Sequence, residues 1–300
     1  MTLRLKPTTA VGPRTQKIVQ REIDASLHNL SQDHFDEKQQ DDAIHDIRKR
    51  LKKVRAVLRL VRAGLHQKTF RREKNCFRET AEPLRDVRDA QVLIETFDKL
   101  LRNSNDNLSL RACADFREFL ETRKQQICDQ FWATSLHRHH VMRHLRHARR
   151  YLAAKQLSHL TWPVLRRGLK EVYIAGSQAF SIATTNQTAE HLHDWRKQVK
   201  CLWYQLQVLK PVWEKMQDEF GHELDQLAEI LGDDHDLAML HQVVMTEAIA
   251  GGHDAELEDL TVVIDRRRSE LERAAFDLGR QVYRHRPKVL MQQIDDWWKA

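Results

Sequence analysis

The chain is poor in the residues that bend, staple or span. Its 300 residues include only 9 glycines and 6 prolines, well under ordinary usage, so long helices with short connections are expected. No Asn-Gly or Asp-Gly pair joins alternating apolar runs, which removes the usual hairpin signal. The 4 cysteines, Cys76, Cys113, Cys128 and Cys201, are scattered without a Cys-x-x-Cys pair. Neither a zinc knuckle nor a dithiol redox motif is therefore indicated, and reduced thiols are expected. No apolar run approaches the length of a membrane span, and residues 1–7 contain no secretory apolar core. A cytoplasmic protein with no membrane partner is expected. There is no P-loop, no nucleophile elbow and no His-Glu-x-x-His, so no cofactor is implied.

Charge is abundant, and its placement matters more than its sum. Lys and Arg total 50 against 43 Asp and Glu, a formal net charge of +7. That balance points only weakly to an anionic partner. The patterning is more telling. Ile44, Ile47, Leu51, Val54, Leu58, Val61 and Leu65 step three and four residues apart, the buried stripe of an amphipathic helix. One residue further on, His45, Arg48, Lys52, Arg55, Arg59 and Arg62 keep the same steps. They form a cationic line about 100° around the helix, roughly 25 Å long at ~1.5 Å per residue. An ordinary exposed face intersperses acids to gain i,i+4 pairs. This line has none, and its like charges cost stability unless an anion lies on them.

The pattern recurs 148 residues downstream. Leu192, Trp195, Val199, Leu202, Leu206 and Leu209 repeat the apolar stripe, and His193, Arg196, Lys200, Trp203, Gln207 and Lys210 repeat the shifted line. A following block also recurs, bringing Asp89 and Asp236 into register, where they are expected to orient nearby basic side chains. Duplicated blocks indicate one structural unit used twice. The expected architecture is all-α: two four-helix bundles, residues 1–155 and 156–300, related by a pseudo-twofold, with a basic groove between them. Helices are expected near 14–30, 41–66, 69–102, 109–130, 136–155, 162–182, 188–217, 219–248, 255–284 and 287–298.

Two other features compete for attention. Between His137 and Arg150, ten of fourteen residues are His or Arg. His140, His144 and His147 share a face, but no carboxylate or cysteine is interleaved and the arginines repel a cation, so no metal is expected there. The run at 232–236 has the acids of a magnesium site, yet its repeat partner at 85–89 does not, which favours a structural role.

The two His-x-x-Arg-x-x-x-Lys helices, each followed by an Asp-bearing block, resemble the CHAD family, the conserved-histidine α-helical domain. The resemblance runs from about residue 10 to about 298 and includes the segment from Tyr283 to Lys288. It implies a non-catalytic module that binds inorganic polyphosphate, with polyphosphate granules as one place to find it. Matched to the family pattern, His45, Arg48, Lys52, Lys53 and Arg55 belong to the first copy and His193, Arg196, Lys200 and Tyr204 to the second. Trp203 stands where the second copy usually has Arg, and His235 where a small polar residue is usual. The polyphosphate-binding set expected from lines and resemblance together is His45, Arg48, Lys49, Lys52, Lys53, Arg55, Arg59, Arg62, His193, Arg196, Lys197, Lys200 and Tyr204. Weaker candidates are Arg138, Arg143 and Arg146 in the His/Arg run and Arg166, Arg167 and Lys170 beyond it. Two rival readings follow from the same residues: a phosphatase or histidine phosphoacceptor using His45 and His193, and a nucleic-acid binder. The first lacks a base or metal partner in the motif, and the second lacks stacking aromatics on the first line and any helix-turn-helix signature.

Overall fold

Proline and capping residues punctuate a chain that otherwise runs as helix. The computed structural model describes residues 5–6, 10–32, 36–104, 108–133, 135–154, 160–216, 221–251 and 254–299. In chain order the helices are α1 (Val11–Ser31), α2 (Glu37–Leu60), α3 (Gln67–Ala81), α4 (Arg85–Asn103), α5 (Leu110–Ala133) and α6 (Ser135–Ala154). Then come α7 (Trp162–Thr185), α8 (Ala189–Val208), α9 (Lys210–Met216), α10 (His222–Gly251), α11 (Asp254–Val282) and α12 (Pro287–Lys299). The described residues contain no strand, only an isolated bridge in which the Leu5 N–H donates to the Val208 carbonyl at 2.7 Å.

Four helix boundaries differ from the periodicity. The helix expected near 69–102 breaks at 82–84, where Pro83 lacks an N–H and disfavours helical backbone before it. That break makes Arg85 the first residue of α4. The first basic helix ends at Leu60, and Arg62 sits in a following 3-10 turn, Arg62–Gly64. The helix expected near 188–217 breaks at Leu209, beside Leu5. At its other end α2 starts earlier than expected because Asp36 and Gln39 form a capping box: the Gln39 N–H donates to the Asp36 carboxylate at 2.8 Å, and the Asp36 N–H to the Gln39 side chain at 3.3 Å.

The apolar stripes are the core. Ile44, Ile47, Leu51, Val54, Leu58 and Val61 are at most 3 % exposed, and all six members of the second stripe at most 2 %. Each such burial is worth about 1.5–3 kcal/mol before conformational entropy is counted. The larger apolar core runs through α1, α2, α3 and α6 and on into α7, α8, α9 and α12. The smaller joins α4 and α5 to α10 and α11. Both cores therefore cross the boundary at 155/156 and do not divide there. The contact is closest where α7 crosses the end of α2: a Cβ on Gly168 would lie 2.0 Å from the Leu60 carbonyl oxygen, so only glycine fits.

Candidate functional site

Four helices make the site. α2 packs on α8 and on α4, while α10 packs on α8 and on α4. The apolar stripes of α2 and α8 face inward, so the line one residue further round comes out along their seam. Below it the fully buried Gln205 of α8 donates to the Ala56 carbonyl of α2 at 3.1 Å and pins the two helices together. Nothing in the helical pattern singled out Gln205.

Lys52 stands where the two lines meet. Crowding by protein atoms, and then repulsion from Arg196, Arg48 and Lys200, pull its ammonium down to about 8, against attraction from Asp236. Much of the side chain is still wet, which screens these effects, and the group stays cationic at pH 7. Burial also pulls Lys200 down, with Arg196 adding repulsion. Lys200 further lies 5.1 Å from the centre of the Trp203 ring, a cation–π contact.

The two arginines of the cluster are held differently. Arg48, with a side chain 16 % exposed, lies 3.5 Å from Asp89 and donates to the Ala81 carbonyl at 3.4 Å. Burial lowers its pKa despite Asp89. Arg196 makes no ion pair among the described residues. Its guanidinium lies along α10 beside Gly232, where even a Cβ would be 3.9 Å away. In both arginines Nε is buried without a hydrogen-bond partner. The Asp89 and Asp236 carboxyls face these cations, and burial raises both pKa values, that of Asp236 to about 6.

The histidines of the two copies also differ. His45 is exposed beside Arg88, which forks onto Glu95 at 3.1 and 2.8 Å. Its pKa is lowered by partial burial and by Arg88. His193 is half-buried and lies against His235 of α10, with ring centroids 4.2 Å apart and the ring planes tilted by 30°. Burial first, then Lys197 and Arg196, push His193 down to about 4. Burial, Arg196 and His193 push His235 to about 3. Both rings are neutral at pH 7, and the Nδ1 of His193 is buried without a partner.

Other expected residues lie at varying distance from this cluster. Arg55 and Arg59 continue the α2 line past Cys201, which they both influence, and Arg62 sits over the Phe70 ring at 5.3 Å. Lys49 is exposed on α2. Lys53 turns the other way and pairs with Glu22 of α1 at 2.5 Å. Lys197 pairs with Asp194 of its own helix at 2.8 Å. Tyr204 is buried, and its hydroxyl is pushed up to about 12, so it offers a neutral donor. Arg166 pairs with Asp295 of α12 at 2.7 Å and Arg167 with Glu171 at 3.1 Å, while Lys170 is exposed on α7. Arg138, Arg143 and Arg146 belong to α6, which packs on α1, α3 and α5. Among the described residues no group of three or more His, Cys, Asp or Glu side chains is arranged to hold a metal, and no helix is long and apolar enough to cross a membrane.

The arrangement is a compact set of cations drawn from sequence positions about 148 residues apart. Such a site suits an anion with several closely spaced charges. The family model for the CHAD domain matches residues 18–244, a stretch containing every residue of the cluster. The crystal structure of the CHAD domain from the plant Ricinus communis matches with a TM-score of 0.63 at 15 % identity, over 95 % of this chain and 96 % of that one. The likeness is one of fold. No curated protein matches the chain. With more than half of its length matched by the family model, the chain belongs to the CHAD-domain family.

Proposed function

We propose that this protein binds inorganic polyphosphate, without turning it over, at the crossing of α2 and α8. The observation that carries the reading is the convergence of Arg48, Lys52, Arg196 and Lys200 from two distant parts of the chain. Four cations within each other's fields repel, and the burial of Arg48 and Lys200 adds a desolvation cost. A bound polyanion offsets both. Arginine forks grip phosphate oxygens in pairs, and the lysines act as point charges. Asp89 holds Arg48 in place, and Asp236 balances part of the charge around Lys52. The regular spacing of charge along polyphosphate suits cations projecting from rigid helices. Arg55 and Arg59 on α2 extend the contact for a longer strand.

Two rivals remain distinguishable by experiment. A phosphatase or histidine phosphoacceptor would use His193, whose neutral ring lies in the cluster but faces another neutral histidine and not a carboxylate base. A nucleic-acid binder would use the same cations, with Trp203 as the one aromatic on the lines. Its indole N–H already donates to Asp225 at 2.7 Å. The deciding experiment is competition of polyphosphate against single-stranded RNA and DNA at fixed salt, with the polyphosphate recovered and sized. Preferential binding of unshortened polyphosphate supports the reading. Shortened chains, phosphate transferred to the protein, or preference for nucleic acid would overturn it.

A further inference from the structure

Away from the crossing lies a larger and more one-sided basic surface, built by α3 and α6. α6 carries 5 arginines and 5 histidines and no acid at all over Ser135–Ala154. α3 adds 5 lysines and arginines against Glu73, which is buried, and Glu79. On α6 the side chains of Arg143, Arg146, His147, Arg149 and Arg150 are exposed. Of these, Arg149 is held by Asp24 of α1. Among the described residues the hydrogen bonds of Arg143 and Arg150 stay within α6: Arg143 reaches His140 at 3.2 Å, and Arg150 reaches the Arg146 carbonyl at 3.4 Å. A helix gains nothing in stability from such a run, because like charges at i,i+3 and i,i+4 repel.

Side-chain contacts join this surface to the far end of the α2 line. Arg62, last in that line, lies over Phe70 of α3. Arg72 of α3 lies over the Tyr151 ring of α6, 3.0 Å from its centre, and Thr69 meets the Tyr151 hydroxyl at 3.3 Å. Arg78, exposed on α3, is close enough to Arg55 for the two to repel. Cationic groups thus follow one another from Lys52 through Arg55 to Arg78 and on to α6.

We propose that α3 and α6 form an outer track for long polyphosphate, receiving the part of the chain that leaves the α2–α8 crossing past Arg55 and Arg62. This inference rests on polyphosphate being the ligand of the crossing. A short oligomer occupies the crossing alone; a long chain reaches both. The outer track then selects for length without a pocket of its own, because each added contact releases counterions.

The test uses the full chain with Arg143→Gln, Arg146→Gln and Arg150→Gln combined. Glutamine keeps the helix propensity of arginine, and among the described residues none of the three forms an ion pair or hydrogen bond to another helix. Affinity and its salt dependence are measured with tripolyphosphate and with long-chain polyphosphate. Tripolyphosphate binding should be unchanged. For the long chain, the slope of log affinity against log salt should fall by about 2, at ~0.7 for each of three lost contacts, with weaker binding at every salt concentration. A long-chain slope unaffected by the triple substitution would overturn the track. So would equal losses for both ligands. Failure of the unmodified protein to bind either polyphosphate would instead overturn the reading of the crossing itself.

Discussion

The two copies of the basic helix share a pattern but not an environment. In α2, Arg48 is engaged by Asp89 and the Ala81 carbonyl, and His45 is exposed. In α8, Arg196 makes no ion pair among the described residues, and His193 is packed against His235. Part of the difference traces to a pair of matched positions on the following helices: Arg85 on α4 corresponds to Gly232 on α10. At 232 no long side chain stands in the way of the Arg196 guanidinium, and even a Cβ there would be in ordinary contact at 3.9 Å, while Arg85 brings one more cation close enough to influence His193 across the seam. The two lines share their cations, but Arg48 is engaged by Asp89 while Arg196 makes no ion pair among the described residues. Charge counting along the lines favours α2, with Arg55, Arg59 and Arg62 where α8 has Trp203, Gln207 and Lys210. The partners of the two arginines favour α8.

The largest expected effect decides between these views. Arg196→Gln with Lys200→Gln should weaken polyphosphate binding more than Arg48→Gln with Lys52→Gln. Each pair should also lower the salt slope by about 1.4, at ~0.7 per contact. Isothermal titration at several salt concentrations gives both quantities. A greater loss from the α2 pair would mean that the number of cations on a line outweighs how each is held. Circular dichroism should show both variants folded, since neither touches an apolar stripe.

A smaller effect separates the histidines. Neutral His193 and His235 bind no proton in the folded protein until pH approaches 4 and 3, whereas an unfolded chain protonates them near ~6.5. Their burial therefore costs stability progressively as pH falls below about 6.5 and on toward 4. A phosphate beside the rings favours imidazolium, so binding should take up protons and strengthen as pH falls through the same window. His193→Gln with His235→Gln should flatten both the stability and the binding profiles, and His45→Gln should change them less. Asp236, titrating near about 6, also strengthens anion binding when protonated, so the comparison is made in an Asp236→Asn background. Equal effects of His45 and of the His193–His235 pair would erase the distinction between the copies.

The smallest effect lies on the alkaline side. Lys52, at about 8 in the free protein, loses charge as pH rises through that value, and a polyanion holds its proton on. Affinity should therefore weaken above pH 8, with proton uptake on binding. Lys52→Arg, charged throughout, should remove this alkaline arm while leaving affinity at pH 7 nearly unchanged. Persistence of the arm would place its origin elsewhere.

Much of this was legible in the sequence, for a physical reason. Helical periodicity fixes which residues share a face, so the buried stripes from Ile44 to Val61 and from Leu192 to Leu209 could be read directly. The shifted cationic line followed from the same geometry. Register between the repeats picked out Asp89 and Asp236. What periodicity leaves open is what comes to lie opposite a face. The pairing of Lys53 with Glu22 depends on where α1 packs, and the contact of His193 with His235 depends on how α10 crosses α8. The break at Pro83 had a signal in the residue itself. The one at Leu209 had a signal too, because Pro211 falls just past the end of α8, but the apolar stripe continues through it and masks the break. The boundary at 155/156 followed the repeat, but the two cores follow helix packing and run across it.

The central claim is that the two lines make one site. A double-mutant cycle tests it, with Arg48→Gln/Lys52→Gln as one arm, Arg196→Gln/Lys200→Gln as the other, the combined variant and the unmodified chain. Affinity for tripolyphosphate is measured at one fixed salt concentration. One shared site predicts a single ligand per chain and losses that fail to add, with a coupling of about 0.5–3 kcal/mol as is usual for groups in one network. Two ligands per chain, or losses that add within about 0.3–0.5 kcal/mol, would mean that α2 and α8 bind independently, and would contradict the account.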